Sequence, residues 1–447
     1  MRNALQPLVG GRMTAEIAIL NRSAVALAAD SAVTIRFGDT EKIYNSAEKI
    51  FEFSRLSPIG LMINNSVDYM GIPWDVLARR HRTLFDQVYS KVADAADAFL
   101  TYLVQLPVST AHEDSHLQQL LSEAYSELLD TYLTETARIQ YNPPDDLKME
   151  VEGVQGFNAR ALFHKLVAEL TSKHGQFPLE GYLADKSVDD FSARYGGVSD
   201  QVARVVFEDF PLGDEEFKLL HQMALFLIRS QAPSITSTGL IFAGYAEDDF
   251  FPSIVVHEVD GRYFGELKAW RVGQREVDRG NSRAIILPFA QREMVDRFMY
   301  GVDADFEKVV GSHFEEASKT IADQVTEFIS RSEGEHPAIP AGFAESISQT
   351  VVDNFKNVVM NNIKSLYLRD VYDMVTAMPK AELAQMAESL VSLTSIKRRM
   401  SAQSETVGGP VDVALITRGE GFIWINRKHY FDRDKNPGFF SRHYIDY

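Results

Sequence analysis

The sequence predicts an α+β layered fold in which two sheets pack between two helical layers. The main observation is the order of segment types along the chain, which is strands, helices, strands, helices and strands. The second is composition: the 447 residues are 45% hydrophobic and 24% charged, which suffices to bury one large core or two smaller ones. The sequence contains no internal repeat and no low-complexity tract.

The first predicted elements are two pairs of strands. The run TAEIAILNRSAVALAAD, from Thr14 to Asp30, contains two short apolar segments with a polar turn at 21–23 between them. From Lys49 onward, IFEF and IGLMI flank the turn-like segment 54–58. Both patterns are typical of antiparallel strands joined by short turns.

Residues from about 75 to 230 are mostly helical in pattern. In HLQQLLSEAYSELLDTYL the apolar residues recur at helical spacing on one face, which comprises Leu117, Leu120, Leu121, Ala124, Leu128 and Tyr132. Glycine and proline at 142–144, 153–156 and 196–197 predict breaks between several helices.

Strand signals return in the second half of the chain. They occur in STGLIFAGYA and in SIVVHEVDGRYFGELKAW, where Asp260-Gly261 predicts a tight hairpin turn. A helix-rich stretch follows from about 291 to 400. The segment GGPVDVALITRGEGFIWINR then predicts two closing strands around 419–421.

Charge and composition exclude several classes of function. The net charge of −18 repels phosphate backbones and anionic membrane surfaces, so we expect neither a nucleic-acid nor a membrane partner. The absence of cysteine excludes disulfides, thiolate catalysis and Cys-ligated zinc. No apolar run reaches the roughly 20 residues of a membrane span, and the opening segment MRNALQPLVGGRM makes a poor signal peptide. We therefore expect a cytoplasmic protein.

The residues that best suit catalysis are Thr14, Asp30 and Lys49. A threonine hydroxyl needs an adjacent base, and the α-amine of the same residue can serve because its pKa is about 7.7 to 8.0. A nearby lysine would favour the unprotonated amine, and a carboxylate would hold that lysine. By residue type alone, a strand-start Thr, a turn Asp and a surface Lys are the more common interpretation.

The surrounding sequence favours the catalytic interpretation. TAEIAILNRSAVALAADSAVT followed by AEKIF resembles the N-terminal third of proteasome β-type subunits, and the spacing from Thr14 to Asp30 is kept without a gap. GLIFAGY with VHEVDGRYF resembles the middle hairpin of that family, and GGPVDVALITRGEG resembles its closing strands. The matching parts cover somewhat under half of the chain.

The resemblance implies a divergent bacterial member of the N-terminal-nucleophile (Ntn) hydrolases. It implies a four-layer αββα sandwich as a single domain over 14–447, with large helical insertions at about 75–230 and 300–375. Residues 1–13 are interpreted as a leader or a mis-assigned start, since removal of Met13 by methionine aminopeptidase would expose Thr14.

The resemblance also implies roles for particular residues. Thr14 would be the nucleophile, with Lys49 beside it and Asp30 orienting Lys49. Thr34 would pair its backbone with an extended substrate, and Asn65, or alternatively Asn64, would donate the backbone N–H of the oxyanion hole. The family often has glycine at that oxyanion position. Support for the terminal amine would come from three further residues, namely Ser404, Glu405 and Gly408.

The function implied is a threonine peptidase that needs no metal and no cofactor. Its partners would be a peptide or protein substrate, further copies of the chain in a homo-oligomer, and an ATPase unfoldase. Two alternatives stay open. One is a catalytically inactive scaffold or interaction protein, and the other is an amidase that acts on a small non-peptide substrate.

A second motif predicts different chemistry. Residues 112–116 spell HExxH, in which two histidines one helical turn apart bind zinc and the glutamate activates water. Asp114 and Ser115 predict a helix start, which would place the two histidines on either side of a cap. We therefore interpret this segment as a solvated loop.

Overall fold

The structure is a computed structural model that describes residues 15–37, 40–139, 144, 147–151, 154–280, 282–331, 342–400, 408–429, 431–432, 434–438 and 441. The chain divides into two compact units. The first contains the described residues within 51–249 and 253–275, and the second contains those within 13–50, 250–252 and 276–447. The single domain over 14–447 stays a prediction.

The described residues form groups of strands that alternate with groups of helices along the chain. The strands are β1 (Ala15–Asn21), β2 (Val25–Ala29), β3 (Val33–Phe37), β4 (Thr40–Tyr44), β5 (Ile50–Ser54), β6 (Ile59–Asn65), β7 (Asp68–Tyr69), β8 (Ile72–Pro73), β9 (Lys148–Val151), β10 (Val154–Phe157), β11 (Thr238–Gly244), β12 (Ser253–Tyr263), β13 (Glu266–Glu276), β14 (Ala284–Ala290), β15 (Asp412–Thr417) and β16 (Gly421–Asn426). The helices are α1 (Trp74–Phe85), α2 (Val92–Gln105), α3 (Thr110–Ile139), α4 (Ala159–Gly175), α5 (Val188–Val206), α6 (Asp214–Arg229), α7 (Glu293–Tyr300), α8 (Ala304–Arg331), α9 (Phe343–Asn354), α10 (Asn361–Ala377) and α11 (Lys380–Arg399), with a π-helical segment at Phe355–Met360.

The second unit is built on an antiparallel sheet with the strand order β14-β1-β2-β15-β16. The β1–β2 and β15–β16 hairpins confirm two of the predicted strand pairs. Strand β14 was not predicted, and it contains Pro288. Proline lacks a backbone N–H and is tolerated at a sheet edge, and β14 is the edge strand of this sheet.

The apolar side chains of this sheet pack against helices of the same unit. Strand β1 contributes Ile17 and Ile19 to a buried cluster that also holds Leu383 and Leu390 of α11. All four are at most 4% exposed. This packing fixes the position of β1, whose first residue follows Thr14.

The first unit is built on a sheet with the order β13-β12-β11-β6-β5, in which β11 runs antiparallel to both β6 and β12. Helices α1 and α2 supply Trp74, Leu77 and Phe99 to the core of this sheet. Helices α3 to α6 form a separate apolar cluster around Tyr125 and Phe191. The chain is thus α+β, with antiparallel sheets, as predicted.

Two sequence predictions about the helices are wrong. Gly196 and Gly197 do not break a helix but lie inside α5. Gly196 is accommodated because it faces the ring of His221, where a Cβ would approach His221 Cε1 to 3.3 Å. Helix α3 begins at Thr110, so the predicted start at 114–115 comes one turn too late.

The hairpin turn predicted at Asp260-Gly261 is also misplaced. Strand β12 continues to Tyr263, and β13 begins at Glu266. The connection is Phe264-Gly265, whose φ angles of 55° and 76° are both positive, as a type I′ turn requires. Asp260 cannot occupy an exposed turn because it is fully buried and bound to Lys268.

Within the described ranges, no helix combines the length and the apolar character that crossing a bilayer demands.

Candidate active site

Three buried ionisable side chains meet in the second unit. Asp30 follows β2 directly, Lys49 precedes β5, and Glu16 lies in β1. Lys49 Nζ lies 2.5 Å from Asp30 Oδ1 and 3.0 Å from Glu16 Oε1. Each of the three residues is at most 2% exposed. The structure therefore brings together two of the predicted catalytic residues and adds one that was not predicted.

Backbone groups hold the Asp30 carboxylate in place. Its Oδ1 accepts a hydrogen bond from Ala15 N at 3.2 Å, and its Oδ2 accepts one from Gly408 N at 3.1 Å. The Asp30 N–H donates to Ala15 O at 3.0 Å, which closes the end of the β1–β2 ladder. A short turn joins β1 to β2, and the two strands pair without a register shift. The end of β2 therefore lies beside the start of β1.

The Gly408-Gly409 segment fits closely beside this carboxylate. Gly408 O accepts a hydrogen bond from Ser31 N at 3.2 Å. Gly409 has a φ of +76°, and a Cβ there would lie 2.8 Å from Asn45 Cβ and 3.2 Å from Ser31 Cβ. Both the backbone angle and the space require glycine. Gly408, predicted to support the terminal amine, binds Asp30.

The charge on Lys49 is set by two opposing effects. Burial lowers the pKa of Lys49, but the charges of Glu16 and Asp30 and their hydrogen bonds outweigh burial and raise this pKa above the ordinary 10.5. Lys49 is therefore an ammonium ion at neutral pH. It is a fixed positive charge next to the first residues of β1.

Sequence reasoning missed Glu16. A carboxylate stands there within the apolar run AEIAIL, and all seven residues of β1 are buried. A charged residue in a buried strand needs a partner, because an unpaired buried charge is strongly unfavourable. That pattern was the available signal, although it could not identify Lys49 as the partner.

Four further predicted site residues lie outside the described residues or in β3. Thr14, Ser404 and Glu405 lie outside the described residues. Thr34 lies in β3, where its backbone pairs with Ile43 of β4. Their predicted roles stay predictions.

The two oxyanion candidates belong to the first unit. Asn65 has a φ of 70°, and its side-chain amide donates to Ser237 O at 2.6 Å. Asn64 Oδ1 accepts from Gly239 N at 3.1 Å. Both side chains thus bind backbone groups at the start of β11. The proposed role concerns a backbone N–H, and it stays a prediction.

The HExxH segment has a structural role instead of the zinc chemistry its pattern suggests. Glu113 accepts hydrogen bonds from Tyr195 Oη at 2.9 Å and from Gly265 N at 3.1 Å. His116 Nε2 lies 3.7 Å from Asp260 Oδ1. The residues are helical, not a solvated loop, and Glu113 and His116 are buried.

Asp260, which lies near His116, belongs to a second buried ion pair. Lys268 Nζ lies 2.8 Å from Asp260 Oδ2, and both side chains are fully inaccessible. Asp260 Oδ1 also accepts from Ser234 Oγ at 2.5 Å. Burial raises the pKa of Asp260, but Lys268 and His116 outweigh it and hold this pKa well below the ordinary value.

One group of side chains in the described ranges has atoms close enough to share a metal ion, namely His164, Glu215 and Glu216. Glu216 already accepts from Gly213 N at 2.8 Å and lies 3.1 Å from Arg160 Nε. The bond to Gly213 N belongs to the N-terminal cap of α6, and Arg160 of α4 supplies a counter-charge. Together they explain the buried carboxylate without a metal.

Comparison with known proteins adds no family assignment, since the chain matches no protein-family model and no curated protein at a significant level of similarity.

Proposed function

We propose that this protein is an N-terminal threonine hydrolase that cleaves peptide (amide) bonds by acyl transfer, with Thr14 as the nucleophile. The observation that supports the proposal most strongly is the buried Lys49–Asp30 ion pair at the start of β1. With it we propose the four-layer αββα sandwich that the resemblance to proteasome β subunits implies.

Covalent geometry limits how far the nucleophile can be from this pair. Ala15 N lies 3.2 Å from Asp30 Oδ1, and Thr14 is bonded to that nitrogen. The α-amine of Thr14 is two bonds beyond the peptide carbon, so it lies at most about 4 Å from Ala15 N. The α-amine therefore lies within roughly 7 Å of Asp30 Oδ1, the oxygen that binds Lys49 Nζ. A charged lysine beside the nucleophile suits an activated alcohol.

In the proposed reaction, Thr14 Oγ attacks the substrate carbonyl, and the α-amine accepts the hydroxyl proton through a water molecule. Lys49 stabilises the negative charge that develops on Oγ, and Asp30 holds Lys49 in position. The amine then returns the proton to the leaving nitrogen. Water attacks the acyl-enzyme ester, which releases the acid and restores the Thr14 hydroxyl.

The substrate would be held by main-chain groups. We propose that Thr34 pairs with an extended peptide, as β-strand addition requires. The backbone N–H of Asn65, or of Asn64, would stabilise the tetrahedral oxyanion. The same resemblance leads us to propose a homo-oligomer and an ATPase unfoldase as partners, and light scattering of the purified chain tests the first.

The mechanism is tested on a chain whose first residue is Thr14, produced by cleavage of an N-terminal fusion. We expect hydrolysis within a panel of fluorogenic peptides, and a covalent adduct at Thr14 with an epoxyketone or a β-lactone. Thr14→Ala should lower the rate at least about a thousandfold. Thr101→Ala, at an exposed position of α2, is the matched control and should not change it.

Three outcomes would contradict the proposal or narrow it. Unchanged hydrolysis in Thr14→Ala would exclude Thr14 as the nucleophile. A chain that neither hydrolyses nor forms the adduct would favour the inactive scaffold. If the chain hydrolyses small non-peptide amides but no peptide, the mechanism would be kept and the proposed substrate class would be replaced.

A further inference from the structure

A serine, a histidine and an aspartate contact one another between two helices of the first unit. Ser192 and Asp200 belong to α5, and His221 belongs to α6. Ser192 Oγ lies 2.8 Å from His221 Nδ1, and His221 Nε2 lies 2.9 Å from Asp200 Oδ1. Such distances join a nucleophile to a base, and the base to a group that orients it.

The spacing of residues along α5 produces this arrangement. Ser192, Gly196 and Asp200 follow one another at intervals of four, so they share one face of the helix. Gly196 leaves room on that face, since a Cβ there would approach His221 Cε1 to 3.3 Å. The ring of Phe191 lies 5.7 Å from the imidazole, between ring centroids. The imidazole is therefore held between the two polar side chains.

Asp200 decides which nitrogen of His221 carries the proton. A carboxylate only accepts hydrogen bonds, so Nε2 donates to Asp200, and Nδ1 keeps its lone pair in the neutral ring. Nδ1 can then accept the hydroxyl proton of Ser192. The same hydroxyl lies 2.9 Å from the backbone carbonyl oxygen of Val188, so its one hydrogen has two acceptors. The rotamer that directs the hydrogen to His221 prepares the serine for attack.

The exposure of the side chains suits a nucleophile with a shielded base. Ser192 is partly exposed, whereas the side chain of His221 is only 10% exposed. Solvent therefore reaches the hydroxyl more easily than the ring that would accept its proton. A hydroxyl on a helix surface with this limited exposure admits a small substrate more readily than a folded polypeptide.

We propose that Ser192, His221 and Asp200 form a separate hydrolytic site that cleaves small esters with a good leaving group, such as aryl esters. Ser192 Oγ attacks the ester carbonyl, and His221 Nδ1 accepts the hydroxyl proton. The bond from the acyl carbon to the aryl oxygen breaks, and the proton passes to the departing aryloxide. Water then attacks the acyl-serine, His221 returns a proton to Ser192 Oγ, and the carboxylic acid leaves. Asp200 is a positioning residue, and Thr14 takes no part.

The experiment uses the full chain with Thr14→Ala, so that the proposed threonine hydrolase cannot contribute. The chain is treated with a fluorophosphonate, and mass spectrometry of its peptides identifies the labelled residue. Hydrolysis of p-nitrophenyl acetate is measured in parallel. We expect a phosphonate adduct on Ser192. We also expect the enzymatic rate to fall about a hundredfold in Ser192→Ala and in His221→Gln.

Ser122→Ala is the matched control. Ser122 is likewise a partly exposed helical serine, and its Oγ donates to the backbone carbonyl of Gln118 at 2.7 Å, one turn earlier in α3. The control variant should hydrolyse the ester at the unchanged rate, and Ser122 should not be labelled. Labelling of both serines to the same extent would show that Ser192 has no special reactivity.

A purely structural role for these bonds predicts a different result. Glutamine at 221 still forms hydrogen bonds between the helices but cannot act as the base, so unchanged labelling of Ser192 in His221→Gln overturns the proposal. An unlabelled Ser192, or unchanged hydrolysis in Ser192→Ala, also overturns it. Should His221→Gln fail to fold, Asp200→Asn replaces it and should slow labelling at least about tenfold. Labelling of Ser192 does not depend on Thr14, so either proposal can fail without the other.

Discussion

Lys49 Nζ lies 3.0 Å from Glu16 Oε1, and both side chains are shielded from solvent. Glu16 is the second carboxylate on Lys49, in addition to Asp30. Ion pairs at the surface contribute little to stability, but removal of one partner from a buried group leaves an uncompensated charge. Stability measurements on Lys49 variants therefore report on this cluster independently of any activity.

Lys49→Met should lower the free energy of unfolding by about 3–5 kcal/mol at pH 7, because the buried carboxylates of Asp30 and Glu16 lose the ion pair with Lys49. Urea unfolding measures the change. Lys380→Met is a matched control, since Lys380 Nζ lies 2.7 Å from Glu420 but both side chains are roughly half exposed. It should change stability by at most about 1 kcal/mol. Equal losses in the two variants would contradict a buried, structural role for Lys49.

The stability difference between wild type and Lys49→Met should also depend on pH. The pKa of Lys49 is raised in the folded state above the ordinary 10.5. Its contribution is therefore fully present below pH 10.5 and is lost as the pH rises through the higher folded value. The stability difference between wild type and Lys49→Met should be constant from pH 7 to 10 and shrink above 10.5. A difference that stays constant or grows above pH 10.5 would show that the pKa is not raised.

Gly409→Ala should destabilise the second unit by about 2–4 kcal/mol. The residue has a φ of +76°, and an added Cβ would meet Asn45 Cβ at 2.8 Å. A backbone movement that relieves this close contact would also displace Gly408, whose N–H binds Asp30. Gly419→Ala, in the β15–β16 turn with no atom within 4 Å, should change stability by less than about 1 kcal/mol. Thermal unfolding of both variants tests the difference, and comparable melting temperatures would refute it.

Asp260→Asn should destabilise the first unit by about 3–5 kcal/mol at pH 7, because Lys268 would stay buried without its counter-ion. The pKa of Asp260 is lowered in the folded state, so its contribution is present above 3.8 and is lost as the pH falls. Denaturant unfolding at pH 7 and pH 4.5 should give similar losses. Asp97→Asn is the control, because its pair with Arg271 is about half exposed on both sides. A loss no larger than in this control would contradict the prediction.

Sequence patterns predicted those parts of the fold that are formed by residues close together in the sequence. The hairpins β1–β2 and β15–β16 were predicted because short turns join apolar runs, and each closes within about twenty residues. Helix α5 shows the limit of such rules. Its two glycines were interpreted as a break, but packing of Gly196 against His221 outweighs their low helix propensity.

The sequence by itself determined the α+β class and singled out Asp30 and Lys49 as a pair, because spacing and resemblance are properties of the linear chain. Only the tertiary structure decided that Glu16 shares Lys49, that Gly408 binds Asp30, and that β14 pairs with β1. Glu16 and Lys49 are 33 positions apart in the sequence, and Asp30 and Gly408 are 378 positions apart. Their partners are fixed by burial and by the need to satisfy buried charge, which no local pattern encodes.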